Sequence, residues 1–490
     1  LFKQSPLTAI IYFRTEEETR AVIKICGKDR QSTFKTAFDG YSCEHYLPVY
    51  ALYPGTKNRV EITVFTKAGQ KRVNTVFVET DPLPEGMQKI NIMELKRDKV
   101  QQGLVFVNGN YGLPMHITQE GRRAGQHPAY TAAFDRNGDI RWYFSDMILA
   151  NVGSMNPTKN GNLLVGSEKE EHGYYTQSCY EISLLGEIIH EYFCEGMHHD
   201  IIELPNGNIV ALTRKPGTQR EEDYMVEFDR ETCKIVREWD AKDILPIPEA
   251  VHHYRRLNTP DEPETLDWIH MNSLDYDETD NTFIFSGRNQ DALVKFDAAT
   301  EEVKWILTEP ADDENKELIP KNLRDKILQP VGDGFSYPSG QHKITIMPNG
   351  DILIFNNMIA YHKYRKNMGD EVINKSSRAI VYRIDEEKMT VRQIWASDWK
   401  TGVEGNSAVM GNADYLGVGH YWVNYSATMF MDDGRQTQGY WDCAIAPVQN
   451  CLFVEYLNDE IVFKARYDGN FGNCYRSHVM MPYLTREEWK

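Results

Sequence analysis

No Lys/Arg-rich run occurs in the 490 residues, and acidic side chains outnumber basic ones 72 to 54, a formal net charge of −18. That lack of clustered positive charge argues against a nucleic-acid partner and against an anionic membrane surface. It still leaves room for a local basic pocket that takes a small anion. Long hydrophobic runs are missing too, with no stretch approaching a membrane span, so a soluble chain is expected. A signal-peptide pattern is also lacking, but Leu1 is not a natural start, so a removed leader stays open. Cysteine is sparse and scattered, at positions 26, 43, 179, 194, 233, 443, 451 and 474, with no Cys-x-x-Cys pair of the zinc-binding kind. Buried thiols are the plain expectation, with pairing of Cys451 to Cys443 or Cys474 left open for an exported protein. Helical periodicity of domain size is absent as well. That leaves strands.

Apolar residues at 41% and aromatics at 11% supply ample core, and the length argues for roughly two to four domains unless one large repeat assembly is present. Short strand patterns at Thr8–Arg14, Ala21–Ile25, His45–Leu52, Arg59–Phe65 and Val73–Val78 are separated by turns such as Tyr53-Pro-Gly-Thr56. They predict a small N-terminal β-sandwich of immunoglobulin or fibronectin type over residues 1–86, closed by the proline-broken linker Asp81–Gly86.

From about residue 100 two hairpin types alternate. One enters a polar turn and leaves on a strand ending in Trp: Thr131 to Trp142, Met225 to Trp239, Leu293 to Trp305 and Ile380 to Trp395, with a weaker copy from Cys179 to Ile189. The other begins near Gly153, His199, His270, His342 and Ala408. Three of its copies turn on Asn-Gly (Asn160-Gly161, Asn206-Gly207, Asn349-Gly350), the strongest short hairpin signal. Two hairpins per repeat make a four-stranded blade. Five blades are clear, and a sixth is expected to be assembled from Gly103–Asn108 near the start and Cys451–Arg466 near the end, which would leave no open sheet edge. The expected fold is therefore all-β: a six-bladed β-propeller over residues 87–490 behind the sandwich. Long polar connections at Ala241–Leu266, Thr308–Gly340 and Met358–Ser376 fall between hairpins, where functional loops belong.

Three of the five copies open on histidine, at 199, 270 and 342. Equivalent positions in a repeat protein occupy equivalent places, so these side chains are expected to converge at one mouth of the channel. Arg288 ends the strand returning toward His270 and Asn272, and an arginine on an apolar strand needs an anion. That anion is either a loop carboxylate or a tetrahedral oxyanion such as sulfate or phosphate, which the guanidinium fork suits. Three histidines can also ligate zinc or iron, although a nearby arginine opposes a cation. His198 is expected to point away from His199, because side chains alternate along a strand. His252, His253 and His420 fall outside the repeat register.

The combination His199-Asp, Asp267-Trp-Ile-His270-x-Asn272, Ser286-Gly-Arg288 and Gly340-Gln-His342, on this architecture, resembles the bacterial PAPS-independent arylsulfate sulfotransferases. The resemblance spans nearly the whole chain. It implies an enzyme that moves a sulfuryl group from an aryl sulfate ester to a phenolic acceptor, by a ping-pong route through a sulfohistidine. It implies His342 as nucleophile, with His199, His270, Asn272 and Arg288 holding the sulfuryl oxygens and moving protons, and Ser407 offering a hydroxyl. No cofactor and no metal are implied, and a periplasmic or secreted location follows. A homodimer is left open. One departure is visible: exported members carry a short cysteine-bridged loop before the nucleophile, and Leu328–Gln341 has no cysteine. The competing expectations are a ligand-binding propeller of lectin or scaffold type, and a metal-dependent hydrolase built on the three histidines.

Overall fold

The structure, a computed structural model, describes residues 1–84, 87, 89–110, 116–117, 123–124, 129–145, 155–166, 176–248, 254–255, 265–309, 319–358, 377–397, 405, 407, 409–430, 448–467 and 474–483. His252, His253, Cys443, Gly153 and Ala408 lie outside these residues, as do parts of the three long connections. Among the described residues nearly everything regular is strand, with one four-residue α-helix, Ala241–Ile244. No helix is long and apolar enough to cross a membrane.

The N-terminal strands form one five-stranded antiparallel assembly around Ala9–Ile25. A break in register between Arg14 and Thr19 lets this 17-residue strand pair with Ser42–Val49 through its first half and with Lys57–Thr66 through its second. Alternation of side chains then buries Ala21, Ile23 and Ile25 against Val60, Ile62 and Val64.

The remaining strands form separate sheets of four, seven, four, five and five strands and two two-stranded ribbons; pairing is antiparallel except where Gln329–Pro330 runs parallel to Thr390–Ala396, and none of these sheets closes on itself. The seven-stranded sheet contains the long strand Ile188–Glu203, which pairs with Thr176–Ile182 at its start and with Ile209–Thr213 at its end. One unit thus runs directly into the next. The leading strands of successive units touch in a cycle: Met155–Pro157, Ile188–Glu203, Met271–Asp277, His342–Ile346, Asn412–Gly417 and Cys474–Met480, which returns to Met155–Pro157. Side-chain hydrogen bonds stitch the cycle, including Asn156 Nδ2 to Ile201 O at 2.6 Å and Ser273 Oγ to Asp200 at 2.8 Å. Asn412 Nδ2 donates to Ser477 O at 2.7 Å, and His478 Nε2 lies 2.7 Å from Met155 O.

One pairing differs from expectation. Leu104–Asn110 pairs with Cys474–Met480, whereas Val448–Leu457 and Glu460–Tyr467 are the third and fourth strands of the sheet led by Asn412–Gly417. Cys451–Arg466 forms a hairpin within that sheet, and its second strand pairs outward with Asn91–Leu95. The mixed strand Cys474–Met480 is the one that pairs with Leu104–Asn110.

The tryptophan that ends each Asp-turn hairpin has a structural reason. Trp142, Trp239, Trp305 and Trp395 each direct the indole N–H to the turn of the following unit, at Leu184 O (2.8 Å), Ala298 O (3.0 Å), Glu386 Oε1 (2.9 Å) and Asp459 Oδ1 (2.7 Å). An indole supplies apolar area and a donor at its far edge, so it both fills the gap between units and sets their register. Trp239→Phe removes the donor and part of that volume. It is expected to destabilise the fold by about 2 kcal/mol, read as a lower denaturation midpoint with turnover unchanged below the transition.

Candidate active site

His199, His270 and His342 do come together. The rings of His199 and His270 lie 4.9 Å apart, and Tyr475 from the last strand packs at 5.8 Å from His199 and 6.4 Å from His342. All three histidines are buried. Asn272, fully buried, donates from Nδ2 to Gln341 O at 2.8 Å, tying the His270 segment to the residue before His342.

The convergence depends on breaks in the strand ladders. Register shifts fall between His198 and Ile201, between Met271 and Ser273, between His342 and Ile344, and between Cys474 and Arg476. Bulges next to a site re-aim side chains that regular alternation would send to opposite faces. The backbone strain is visible. His199 (φ 51°), His270 (φ 53°), Glu222 (φ 55°), Lys343 (φ 32°) and Met410 (φ 64°) all lie in the left-handed region, at a cost of roughly 1–2 kcal/mol each.

The same break corrects the expectation for His198. It does not point away: its Nδ1 lies 2.9 Å from Nδ1 of His199, because the left-handed backbone at His199 cancels the alternation. His198 Nε2 faces Thr213 O at 3.1 Å, which puts a proton on Nε2 and frees Nδ1 to accept from His199. Burial depresses the His198 pKa to about 4, so it serves as a neutral prop.

The residues following the site residues form a second layer. Asp200, fully buried, accepts from Ser273 Oγ and from Leu274 N–H. It faces Lys343 Nζ at 3.5 Å and Arg476 at 3.9 Å. Arg476 donates to Asn272 O at 3.1 Å and to Gly411 O at 2.6 Å, bracing two strands from beneath.

His342 is held by its Nδ1 edge, 2.8 Å from Asn357 Oδ1 and 3.1 Å from Gly340 O. Both partners accept, and the Asn357 amide is oriented by donating from Nδ2 to Ser407 O and Met410 O. The proton therefore sits on Nδ1 and the lone pair on Nε2, where it accepts from Met410 N–H at 3.1 Å. Burial, then the cations of Arg288 and Arg476, hold the His342 pKa well below its ordinary value. It is a neutral imidazole beside two guanidinium groups.

His270 is the opposite case. Its Nδ1 lies 2.7 Å from Asp267 Oδ2 and 2.7 Å from Glu222 Oε2. Burial alone would lower its pKa, but the carboxylates of Asp267 and Glu222 outweigh burial and hold it above the ordinary value. His199 reaches Glu222 only at 3.5 Å, so burial dominates there and its pKa falls well below normal.

Arg288 opens a short 3-10 turn just after the returning strand Thr282–Gly287, and its N–H donates to His270 O at 3.2 Å. Its guanidinium is buried and close enough to depress His342. Ser407 joins the site indirectly. Its hydroxyl donates to Val409 O at 2.9 Å, and its carbonyl accepts from Asn357. Two groups of three metal-type donor atoms lie within 4.8 Å of one another, His198/His199/Glu222 and Glu222/Asp267/His270. His342 belongs to neither, so the three-histidine metal set is not assembled among the described residues, and the hydrolase alternative is not favoured.

Glu222, Asn357, Tyr475 and Arg476 are the site residues that sequence reasoning missed. None recurs at the repeat spacing. Only the acidic run Glu221-Glu222-Asp223, buried throughout, could have flagged one of them.

A family model described as Arylsulfotransferase (ASST) matches residues 89–476, and one described as Arylsulfotransferase Ig-like domain matches residues 2–81. The chain is 24% identical to arylsulfate sulfotransferase AssT of Escherichia coli O6:H1, covering 89% of this chain and 86% of that protein. It is 22% identical to arylsulfate sulfotransferase AssT of Lelliottia amnigena, covering 84% and 81%. Among solved structures it is similar to the periplasmic gluconolactonase PpgL of Pseudomonas aeruginosa, at 9% identity and a TM-score of 0.35 over 95% of this chain and all of that one.

Proposed function

The chain belongs to the arylsulfotransferase family, and on that premise we propose that it transfers a sulfuryl group from an aryl sulfate ester to a phenol, without PAPS, through a sulfated His342. The observation that carries this reading is the hydrogen bonding of His342: Nδ1 faces two neutral acceptors, which leaves a lone pair on Nε2 of a ring that the Arg288 cation helps to keep neutral. The Nε2 pair attacks the ester sulfur, and the S–O bond breaks toward the phenolate oxygen. Attack requires that the Met410 N–H release Nε2. His270, kept cationic by two carboxylates, gives its proton to the leaving oxygen. In the second half-reaction His270 takes the proton of the acceptor phenol, whose oxygen attacks sulfur as the S–N bond returns its pair to Nε2. Because Gly340 and Asn357 do not remove the Nδ1 proton, the sulfated ring remains a good leaving group.

In this reading Arg288 and Asn272 hold the sulfuryl oxygens, His199 is a neutral contact to the same group, and Ser407 acts through its carbonyl on Asn357, its hydroxyl being donated to Val409 O. We also read the four-stranded units as the blades of a six-bladed β-propeller over residues 87–490, preceded by a β-sandwich over 1–86. The cycle of leading strands supports that. A periplasmic or secreted location belongs to the same reading.

The test is phenolate release from a chromogenic aryl sulfate with and without added phenol. Acceptor-dependent release, with one sulfuryl group on His342 by mass spectrometry when acceptor is withheld, is the expected result. Release to water alone would point to a sulfatase. The pH profile has a definite sign. His342 must be neutral, and its depressed pKa moves the acid limb below the usual imidazole range. His270 must be protonated, and its raised pKa moves the alkaline limb above it. A broad plateau across neutral pH is expected, with the alkaline limb steepest for poor leaving groups.

A further inference from the structure

Glu222 belongs to no repeat and to no motif, yet it is fully buried at the centre of the site. Its loop runs alongside the His270 segment and is fastened to it repeatedly. Glu221 N–H donates to Leu266 O at 3.0 Å, and Met271 N–H to Glu222 O at 2.9 Å. Trp268 Nε1 donates to Asp223 Oδ2 at 2.9 Å. The carboxylate of Glu222 then meets the Nδ1 edges of two imidazoles, His270 at 2.7 Å and His199 at 3.5 Å. A buried carboxylate beside a site for an anionic ester is repelled by the substrate, so its presence calls for a compensating role.

We propose that Glu222 is a positioning residue for sulfuryl transfer, whose carboxylate stands at the Nδ1 edge of His270 and, alongside His198, at the Nδ1 edge of His199, and so keeps both Nε2 edges toward the substrate. This rests on the sulfotransferase reading above. Asp267 shares the hold on His270, and Glu222 is the carboxylate that stands within 3.5 Å of both rings and so couples them. The raised pKa of His270, to which Glu222 contributes after burial and Asp267, is consistent with the same arrangement. Glu222 acts through the histidines and makes no bond to the reacting atoms.

The experiment compares wild type, Glu222→Gln and Glu222→Asp in the full chain, with phenol as acceptor and two donors, phenyl sulfate and 4-nitrophenyl sulfate. Glu222→Gln keeps the shape and removes the charge. It is expected to lower kcat for phenyl sulfate by about 10²-fold, the scale of one general acid. For 4-nitrophenyl sulfate, whose phenolate leaves with less help, the loss is expected to be under about tenfold, with KM little changed for both. Glu222→Asp should recover part of the loss. In a His270→Ala background, Glu222→Gln should add little, because the two act as one unit. Equal losses for both donors, or full additivity with His270→Ala, would overturn the proposal. Should wild type transfer nothing, the sulfotransferase reading fails, and the hold on the rings is still read by imidazole ¹⁵N resonances. Those of His199 and His270 both move in Glu222→Gln or Glu222→Asp, whichever folds, and unmoved resonances would reject the role.

Discussion

His342→Asn abolishes transfer and leaves the fold intact. The expected loss is at least about 10⁴-fold in kcat, the scale seen when a covalent nucleophile is removed from a constellation that acts as a unit. Asparagine is the informative substitute because the position is buried and polar on its Nδ1 side. The amide donates to Gly340 O and Asn357 Oδ1 much as Nδ1–H does, so neither acceptor is stranded. What disappears is the Nε2 lone pair. An unchanged denaturation midpoint together with lost turnover and lost sulfation is the expected pattern. Near-normal turnover would rule out the covalent scheme.

Arg288→Lys is expected to lower kcat by about 10²–10³-fold, the range for losing one preorganised donor to developing oxyanion charge. Lysine keeps the charge but loses the planar fork that meets two sulfuryl oxygens at once. A second readout separates this from a structural loss. Arg288 is the largest charged influence on His342 after burial, and it pushes the pKa of that ring down. In Arg288→Ala that push is removed, the His342 pKa rises, and the acid limb of the residual activity moves to higher pH. A salt-bridge role for Arg288 predicts instead a lower denaturation midpoint with the limb in place.

Much of this site is legible in the sequence. The histidine spacing, the Asn-Gly turns and the tryptophan hairpins are periodic, and periodicity survives in sequence because each repeat solves the same packing problem. Arg288 was legible as a charge on an otherwise apolar strand. The breaks in register were not. Nothing in His198-His199 announces a left-handed residue, so simple alternation sent His198 the wrong way. Glu222 and Asn357 act from loop and strand ends and answer to single contacts, which no repeat encodes. The partner of Leu104–Asn110 is hidden in the sequence because the clean hairpin at Cys451–Arg466 carries a stronger strand signal than the mixed Cys474–Met480.

That last pairing bears on when the protein becomes an enzyme. Asn108 accepts from Arg476 N–H across 368 residues of chain, and Tyr475 beside it completes the wall against His199 and His342. Most earlier hairpins can form locally as they emerge, whereas this part of the site waits for Cys474–Met480, which must find a partner made hundreds of residues before it. A chain that stops short of Cys474 carries all three histidines but lacks that wall. Turnover then reports that this strand has docked, and a clip removing Cys474–Met480 is expected to silence the enzyme while most of its sheets persist.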